Sequence, residues 1–186
     1  MVRVISGTAG GLKIQTLDSE NTKPTLDRVK EAVFSMLSDD IYGATVLDLF
    51  AGSGALGIEA LSRGAKRCFF NDKNKSCCDI IRKNLIHTKL DHLAQISCSD
   101  YSETIASFRN KGVKFDLILL DPPYSSGFYE EAITSISKNG IFSEYCTILC
   151  EHSIEDSLPE QIGAFYHIKS KKYGTVAVSL FRNEVD

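Results

Sequence analysis

The densest chemical signal in the sequence is the tetrad Asp121-Pro122-Pro123-Tyr124. Two successive prolines fix φ and remove two N–H donors, so this loop is stiff and presents carbonyls rather than amides. Asp121 and the carbonyl of Pro122 can then both accept hydrogen bonds from one NH₂ group. The exocyclic amine of a nucleobase is a poor nucleophile, because its lone pair is delocalised into the ring. Two fixed acceptors favour a pyramidal nitrogen whose lone pair points at an electrophilic methyl. No strong base is needed, since that nitrogen turns acidic only as the new bond forms. Tyr124 offers a platform for the base. Unstacking a base costs a few kcal/mol, and stacking it on an aromatic ring returns about 1–3 kcal/mol. Holding amine and methyl in line contributes up to roughly 7–11 kcal/mol, so positioning outweighs proton transfer. An Asp-Pro turn after a strand is common by itself; two prolines and an aromatic after a buried strand, downstream of a glycine loop, are far more specific.

That glycine loop is Leu47-Asp48-Leu49-Phe50-Ala51-Gly52-Ser53-Gly54-Ala55-Leu56-Gly57. Gly52, Gly54 and Gly57 satisfy G-x-G-x-x-G, in which glycines let the backbone turn sharply and approach a ligand. The pattern fits NAD and S-adenosylmethionine equally, and Asp72, ending the next strand, suits the ribose of either. Asp48, just before the loop, favours a cationic ammonium over a pyrophosphate, which needs donors and positive charge. Asp100, in Ser99-Asp100-Tyr101, can accept from an adenine amino group. Each aspartate alone is explained as well by a turn or helix cap. Three acids ending three successive strands favour S-adenosylmethionine, with Phe50, Ala51, Gly52, Ser53, Gly54, Gly57 and Tyr101 completing the expected cofactor site.

The elements that must position these residues are legible as alternating patterns. Strands are expected over Val46–Phe50, Cys68–Asp72, Ala94–Cys98, Phe115–Leu120 and Thr147–Cys150. Helices are expected over Ala55–Arg63, after Asn74, from Ser102 to Asn110 and from Phe128 to Lys138. Repeated β-α units imply a mainly parallel sheet with helices on both faces. A final hairpin, Phe165–Ser170 and Val176–Phe181, adds antiparallel strands at an edge. Ahead of the units lie a hairpin (Val2–Ser6 and Leu12–Thr16) and a helix from about Thr25 carrying Leu26, Val29, Val33, Met36 and Leu37 on one face. Every motif falls at the C-terminal end of a strand, where ligands of such sheets bind.

The length of 186 residues suits one domain. No apolar run reaches the roughly 18 residues of a membrane span, and the N-terminus lacks the basic-then-apolar build of a signal peptide, so a cytoplasmic protein is expected. The six cysteines show no metal-binding spacing and suggest reduced, buried side chains; no metal is expected. The net charge of −3 disfavours indiscriminate coating of nucleic acid. Locally, Arg3 and Lys13 stand unopposed by acids over residues 1–17, as do Lys169, Lys171, Lys172 and Arg182 from Gln161 to Asn183. Such runs are permissive for RNA contact.

Over nearly its whole length the sequence resembles bacterial 16S rRNA guanine-N2 methyltransferases of the RsmD type. The likeness rests on Arg3-Val4-Ile5-Ser6-Gly7, on Lys23-Pro24-Thr25-Leu26-Asp27-Arg28-Val29-Lys30-Glu31-Ala32-Val33-Phe34, and on the block Asp48 through Ala65. Asn84-Leu85 and the tetrad complete it. The resemblance implies a Rossmann-like class I methyltransferase fold: a seven-stranded, mainly parallel sheet with an antiparallel C-terminal edge hairpin and an N-terminal β-hairpin arm over residues 1–20. It implies S-adenosyl-L-methionine as cofactor and transfer of one methyl to N2 of a guanine in 16S rRNA, of the guanine-966 type. By matched position, Thr25 and Arg28 lie near the cofactor, and Asp121, Pro122, Pro123 and Tyr124 form the target-base loop. The hairpin, through Arg3 and Lys13, would meet RNA in a small ribosomal subunit or its assembly intermediate, the protein acting as a monomer. Family members often carry two further basic residues where this chain has Gly10 and Leu12. The alternatives are an adenine-N6 DNA methyltransferase, since the tetrad also occurs there; an NAD-dependent oxidoreductase, resting on the glycines alone; and a non-enzymatic ribosome-assembly factor.

Overall fold

A computed structural model describes residues 1–17, 24–122 and 128–183, with only the backbone described for residues 24–28. Two short strands open the chain, β1 (Val2–Arg3) and β2 (Lys13–Ile14), paired antiparallel with Arg3 opposite Lys13. Helix α1 (Pro24–Met36) begins on its proline, whose missing N–H would have no helical partner in any case, and the single turn α2 (Ser38–Ile41) follows. The alternating region comprises β3 (Thr45–Asp48), α3 (Ala55–Ser62), β4 (Arg67–Asn71), α4 (Lys75–Thr88) and β5 (Ala94–Ser97). It continues through α5 (Tyr101–Asn110), β6 (Phe115–Leu120), α6 (Phe128–Asn139) and β7 (Phe142–Ser153). Strands β8 (Gln161–Ile162), β9 (Phe165–Tyr173) and β10 (Val176–Asn183) close the fold.

The main sheet has the order β5-β4-β3-β6-β7-β10-β9-β8, parallel from β5 to β7 and antiparallel beyond. Eight strands are present where seven were expected. The extra one, β8, is a two-residue pairing with β9 and is too short to carry a readable alternation. The chain runs outward from β3 to β5 and returns to β6 on the other side of β3. The crevice between the C-terminal ends of β3 and β6 is therefore the switch point at which such sheets bind ligands.

Strand β6 explains why the middle of the sheet is stable. Leu117 and Leu119 enter a core with Ile58, Ile81 and Val33 on one face. Ile118 and Leu120 enter a second core with Ile105, Phe108 and Ile133 on the other. A strand buried on both sides needs the unbroken apolar run that Phe115–Leu120 supplies. Five of the six cysteines are buried free thiols, as expected of small hydrophobes, whereas Cys98 is exposed.

The N-terminal hairpin differs most from expectation, with each strand reduced to two residues. Its backbone turns from self-pairing to α3. The N–H groups of Ile5 and Ser6 donate to the Glu59 carboxylate at 2.7 and 3.0 Å. Thr8 N–H donates to the Ser62 carbonyl at 2.8 Å, and Ala9 N–H to Ser62 Oγ at 2.9 Å. Gly7, at φ 84°, makes this approach possible, since a Cβ there would sit 1.7 Å from the Ser62 carbonyl oxygen. Glu59 is fully buried and is further balanced by Lys30 at 3.3 Å and Arg63 at 2.8 Å. With Val4, Ala9 and Ile14 in the core, the hairpin is a docked part of the domain.

Candidate functional site

A cavity of about 600 Å³ opens at the switch point, lined by the glycine loop, the ends of β4 and β5, and Asp121, Pro122, Phe128 and Glu151. It lies within the range of small-ligand pockets. Each acid expected from the sequence borders it, but three of them hold the protein's own backbone as well.

Asp48 ends β3 almost completely buried, and its Oδ2 accepts from Gly57 N–H at 3.0 Å, fastening the first turn of α3. Burial pushes its carboxyl up to about 7, partly offset by the Gly57 N–H and reinforced by the charge of Asp72. Gly57 is glycine for packing reasons, since a Cβ would come within 2.3 Å of the Phe70 ring. Gly52 and Gly54 have φ of 54° and 80°, the left-handed turn that gives the loop its shape. Asp72 holds that turn from the next strand: Oδ2 accepts from Gly52 N–H at 2.9 Å and Oδ1 from Asn74 N–H at 2.8 Å. Each carboxylate oxygen retains capacity for a ligand hydroxyl. Asp100 is the N-cap of α5, accepting from Ser102 Oγ at 2.7 Å and Ser102 N–H at 2.9 Å, and these bonds hold its carboxyl below the usual range. For these acids the cap and turn roles are realised, alongside a position at the cavity wall.

Asp121 behaves differently. It opens onto the cavity yet is ringed by protein, and desolvation, then the charges of Glu151 and Asp48, raise its carboxyl well above the ordinary range. Burial likewise raises Glu151. Among the described residues, no protein hydrogen bond or ion pair is made by either carboxylate. Sheet parity explains the grouping. Leu119 and Leu149 are paired and share one face, so Asp121 and Glu151, two residues on, share it too. Asp48, two residues beyond Val46, joins the same face. Three carboxylates thus stand at the ends of adjacent strands, Asp48 in β3, Asp121 directly after β6 and Glu151 in β7. Phe50, Tyr101 and Phe128 form an aromatic cluster beside them, with centroids 5.5 to 6.4 Å apart.

The family model described as Conserved hypothetical protein 95 matches residues 2–182. The chain belongs to this family. It is the RsmD-type family that the motif blocks resemble. Family relatives include Ribosomal RNA small subunit methyltransferase D of Haemophilus influenzae, 35% identical with 98% of this chain and 94% of that protein covered. The protein of the same name from Escherichia coli K12 is 33% identical, with 98% and 90% covered. In structure, the family member is similar to yhhF from Escherichia coli, which carries the provisional name of a methyltransferase. The TM-score is 0.86 at 32% identity, over 100% of this chain and 99% of that one. The fold is that of class I methyltransferases.

Several positions in this family member went unseen in the sequence. Asn71 is buried at the end of β4, where its amide donates to the carbonyls of Leu49 and Ser99 at 3.2 and 3.3 Å, joining the loops after β3 and β5. Asn84 was noticed only through resemblance. It bonds Gln15 through both N–H and carbonyl and holds the Ser53 carbonyl at 2.9 Å, tying the N-terminal segment to the glycine loop. Glu151 and Phe128 carried no local signal, because β7 and α6 reach the cavity only through the sheet order. Arg3 and Lys13 lie opposite one another on exposed backbone, away from the cavity lining. Arg182 is paired with Asp40 at 3.1 Å, which leaves Lys169, Lys171 and Lys172 as the exposed basic residues of the closing hairpin. Pro123 and Tyr124, and the side chains of Thr25 and Arg28, lie outside the described residues.

Proposed function

We propose that this protein transfers a methyl group from S-adenosylmethionine to N2 of a guanine in small-subunit ribosomal RNA. The observation that carries the reading is one continuous cavity running from the Gly52 turn to the Asp121-Pro122 corner. The residues present suit this cofactor. Nothing lies within 4 Å of where a Gly52 Cβ would point, leaving the turn open to a ligand, and the buried acid Asp48 suits a cation. Bound there, S-adenosylmethionine supplies an electrophilic methyl carbon on a sulfonium.

The chain's own residues do the rest. Asp48 faces the amino-acid end, Asp72 accepts from ribose hydroxyls, and Asp100 and Tyr101 border the adenine, with Thr25 and Arg28 assigned nearby from the family motif. Asp121 and the Pro122 carbonyl accept from the target amine and orient it, and Asp121 takes the proton that the amine loses. Pro123 stiffens the corner and Tyr124 stacks the extruded base. Arg3 and Lys13 meet RNA phosphates, each contact adding to affinity and to its salt dependence. The protein acts as a monomer in the cytoplasm, on small ribosomal subunits or their assembly intermediates. Residues 1–20 serve as an RNA-facing segment docked on the catalytic body of residues 21–186. Relatives named for ribosomal RNA support this target over DNA adenine, and the acidic wall disfavours the pyrophosphate of NAD.

Small ribosomal subunits lacking the modification, incubated with labelled cofactor, test the reading. N2-methylguanosine, identified by mass spectrometry of the digested RNA, is the expected product. N6-methyladenine appearing instead in added DNA would move the assignment to the alternative. Absence of any transfer, under conditions where a related enzyme works, would sink it.

A further inference from the structure

We propose that Glu151 is the residue that selects guanine, accepting a hydrogen bond from the base's N1–H while Asp121 accepts from N2. This rests on the methyl-transfer reading above and extends it to a residue that the sequence motifs do not contain.

Placement comes first. Leu120 pairs with Cys150 on adjacent parallel strands, roughly 4.8 Å apart in the hydrogen-bonding direction, and Asp121, directly after β6, and Glu151, in β7, are the next residue on each side. Both line the cavity. Asp121 lies between Asp48 on β3 and Glu151 on β7. Glu151 is therefore on the far side of the target corner from the glycine turn, beside the base rather than the cofactor.

Chemistry follows. Among the described residues, ion pairs form elsewhere and the Glu151 carboxylate has no hydrogen-bond donor, while its backbone carbonyl accepts from Tyr129 Oη at 2.5 Å. Two neighbouring carboxylates repel when both are ionised, and a row of N–H donors set against them offsets the repulsion. Guanine offers such a row on its Watson–Crick edge: N1–H beside N2–H₂. Adenine offers N6–H₂ beside an unprotonated N1, which would set acceptor against carboxylate. 2-Aminopurine probes the difference, because it keeps the 2-amino group and lacks the N1 proton together with O6; the change of ratio in a Glu151 variant then separates the N1 contact from any contact to O6. A site built around a donor rejects an analogue without it far more strongly than packing alone would.

The test compares methyl transfer to reconstituted small subunits carrying guanine or 2-aminopurine at the target nucleotide. The wild type should prefer guanine by at least about 100-fold. Glu151→Gln, whose amide can accept from N1–H or donate to bare N1, should narrow that ratio to about tenfold or less, with S-adenosylhomocysteine binding retained. Glu151→Asp should slow both reactions and keep the preference. Equal slowing of both bases in Glu151→Gln would overturn the inference. So would a wild type that accepts both bases alike, an outcome that needs no variant to fold. Failure of the wild type to methylate guanine-bearing subunits would sink the parent reading and this inference with it. Normal wild-type transfer with an unchanged ratio in Glu151→Gln sinks this inference alone.

Discussion

The two halves of the cavity use the same side chain for opposite ends. On the β3–β5 side, Asp48, Asp72 and Asp100 are committed to backbone N–H groups of Gly57, of Gly52 and Asn74, and of Ser102. On the β6–β7 side, Asp121 and Glu151 border the same space without a protein donor among the described residues. An acid bonded to its own chain shapes the pocket and contributes to stability. An acid crowded by a second carboxylate and without such a bond contributes no comparable stability and gains its donors from a ligand. The β3–β5 half, proposed for the cofactor, is thus built before anything binds, while the β6–β7 half, proposed for the base, is completed by what enters it.

The largest effect should come from the uncommitted side. Asp121→Asn is expected to lower single-turnover methyl transfer about 100- to 1000-fold, the scale of removing one transition-state contact. S-adenosylhomocysteine affinity, measured by calorimetry, should stay within about threefold. A rate within tenfold of the wild type would break the contrast.

Asp48 sharpens it, since it is both committed and desolvated. Its folded carboxyl is raised to about 7, well above the ordinary aspartate range, so the folded protein holds the proton more tightly than the unfolded chain. Stability therefore falls as pH rises from about 4 to about 7 and is level above that. Asp48→Asn keeps an acceptor for Gly57 N–H and removes the titration. Relative to the wild type it should gain on the order of 3 kcal/mol between pH 5 and pH 8 in denaturant unfolding, while binding S-adenosylhomocysteine more weakly. For the wild type, affinity for that ligand should rise with pH through the same window, as the ionised acid meets an ammonium group.

Smaller losses are expected on the committed side, and in stability first. Asp72→Ala strands the N–H groups of Gly52 and Asn74 and should cost about 1–3 kcal/mol, along with weaker cofactor binding. Asp100→Ala removes a helix cap and should cost about 1 kcal/mol by thermal or denaturant unfolding. A stability loss in Asp121→Asn as large as that in Asp72→Ala would erase the distinction between the two halves.

How much of this was legible depended on how local each cause is. Phe115–Leu120 was bounded to the residue because burial on both faces demands an unbroken apolar run. Ala55 was placed as the start of α3 by the glycine turn before it. By contrast, the sequence predicts β7 only over Thr147–Cys150, because the mixed stretch before it carries no clear period, and it predicts longer N-terminal strands than form. Their backbone bonds go to Glu59 and Ser62, more than 50 residues away, and the apolar pattern of the segment cannot say whether its N–H groups pair with a strand or a side chain. That the aspartates border the cavity is legible because strand-ending acids beside a glycine turn are visible as text, yet which of them is tied to backbone is not.

By itself, the order of residues determined the alternation of strands and helices, the glycine turn and the proline corner, since each depends on neighbours within one element or one loop. Tertiary structure alone decided that β7 lies beside β6 and so brings Glu151 to Asp121, that α6 adds Phe128, and that the N-terminal segment docks on α3. Strand order and parity are set by burying two cores at once, a balance summed over the whole chain that no short window of sequence contains.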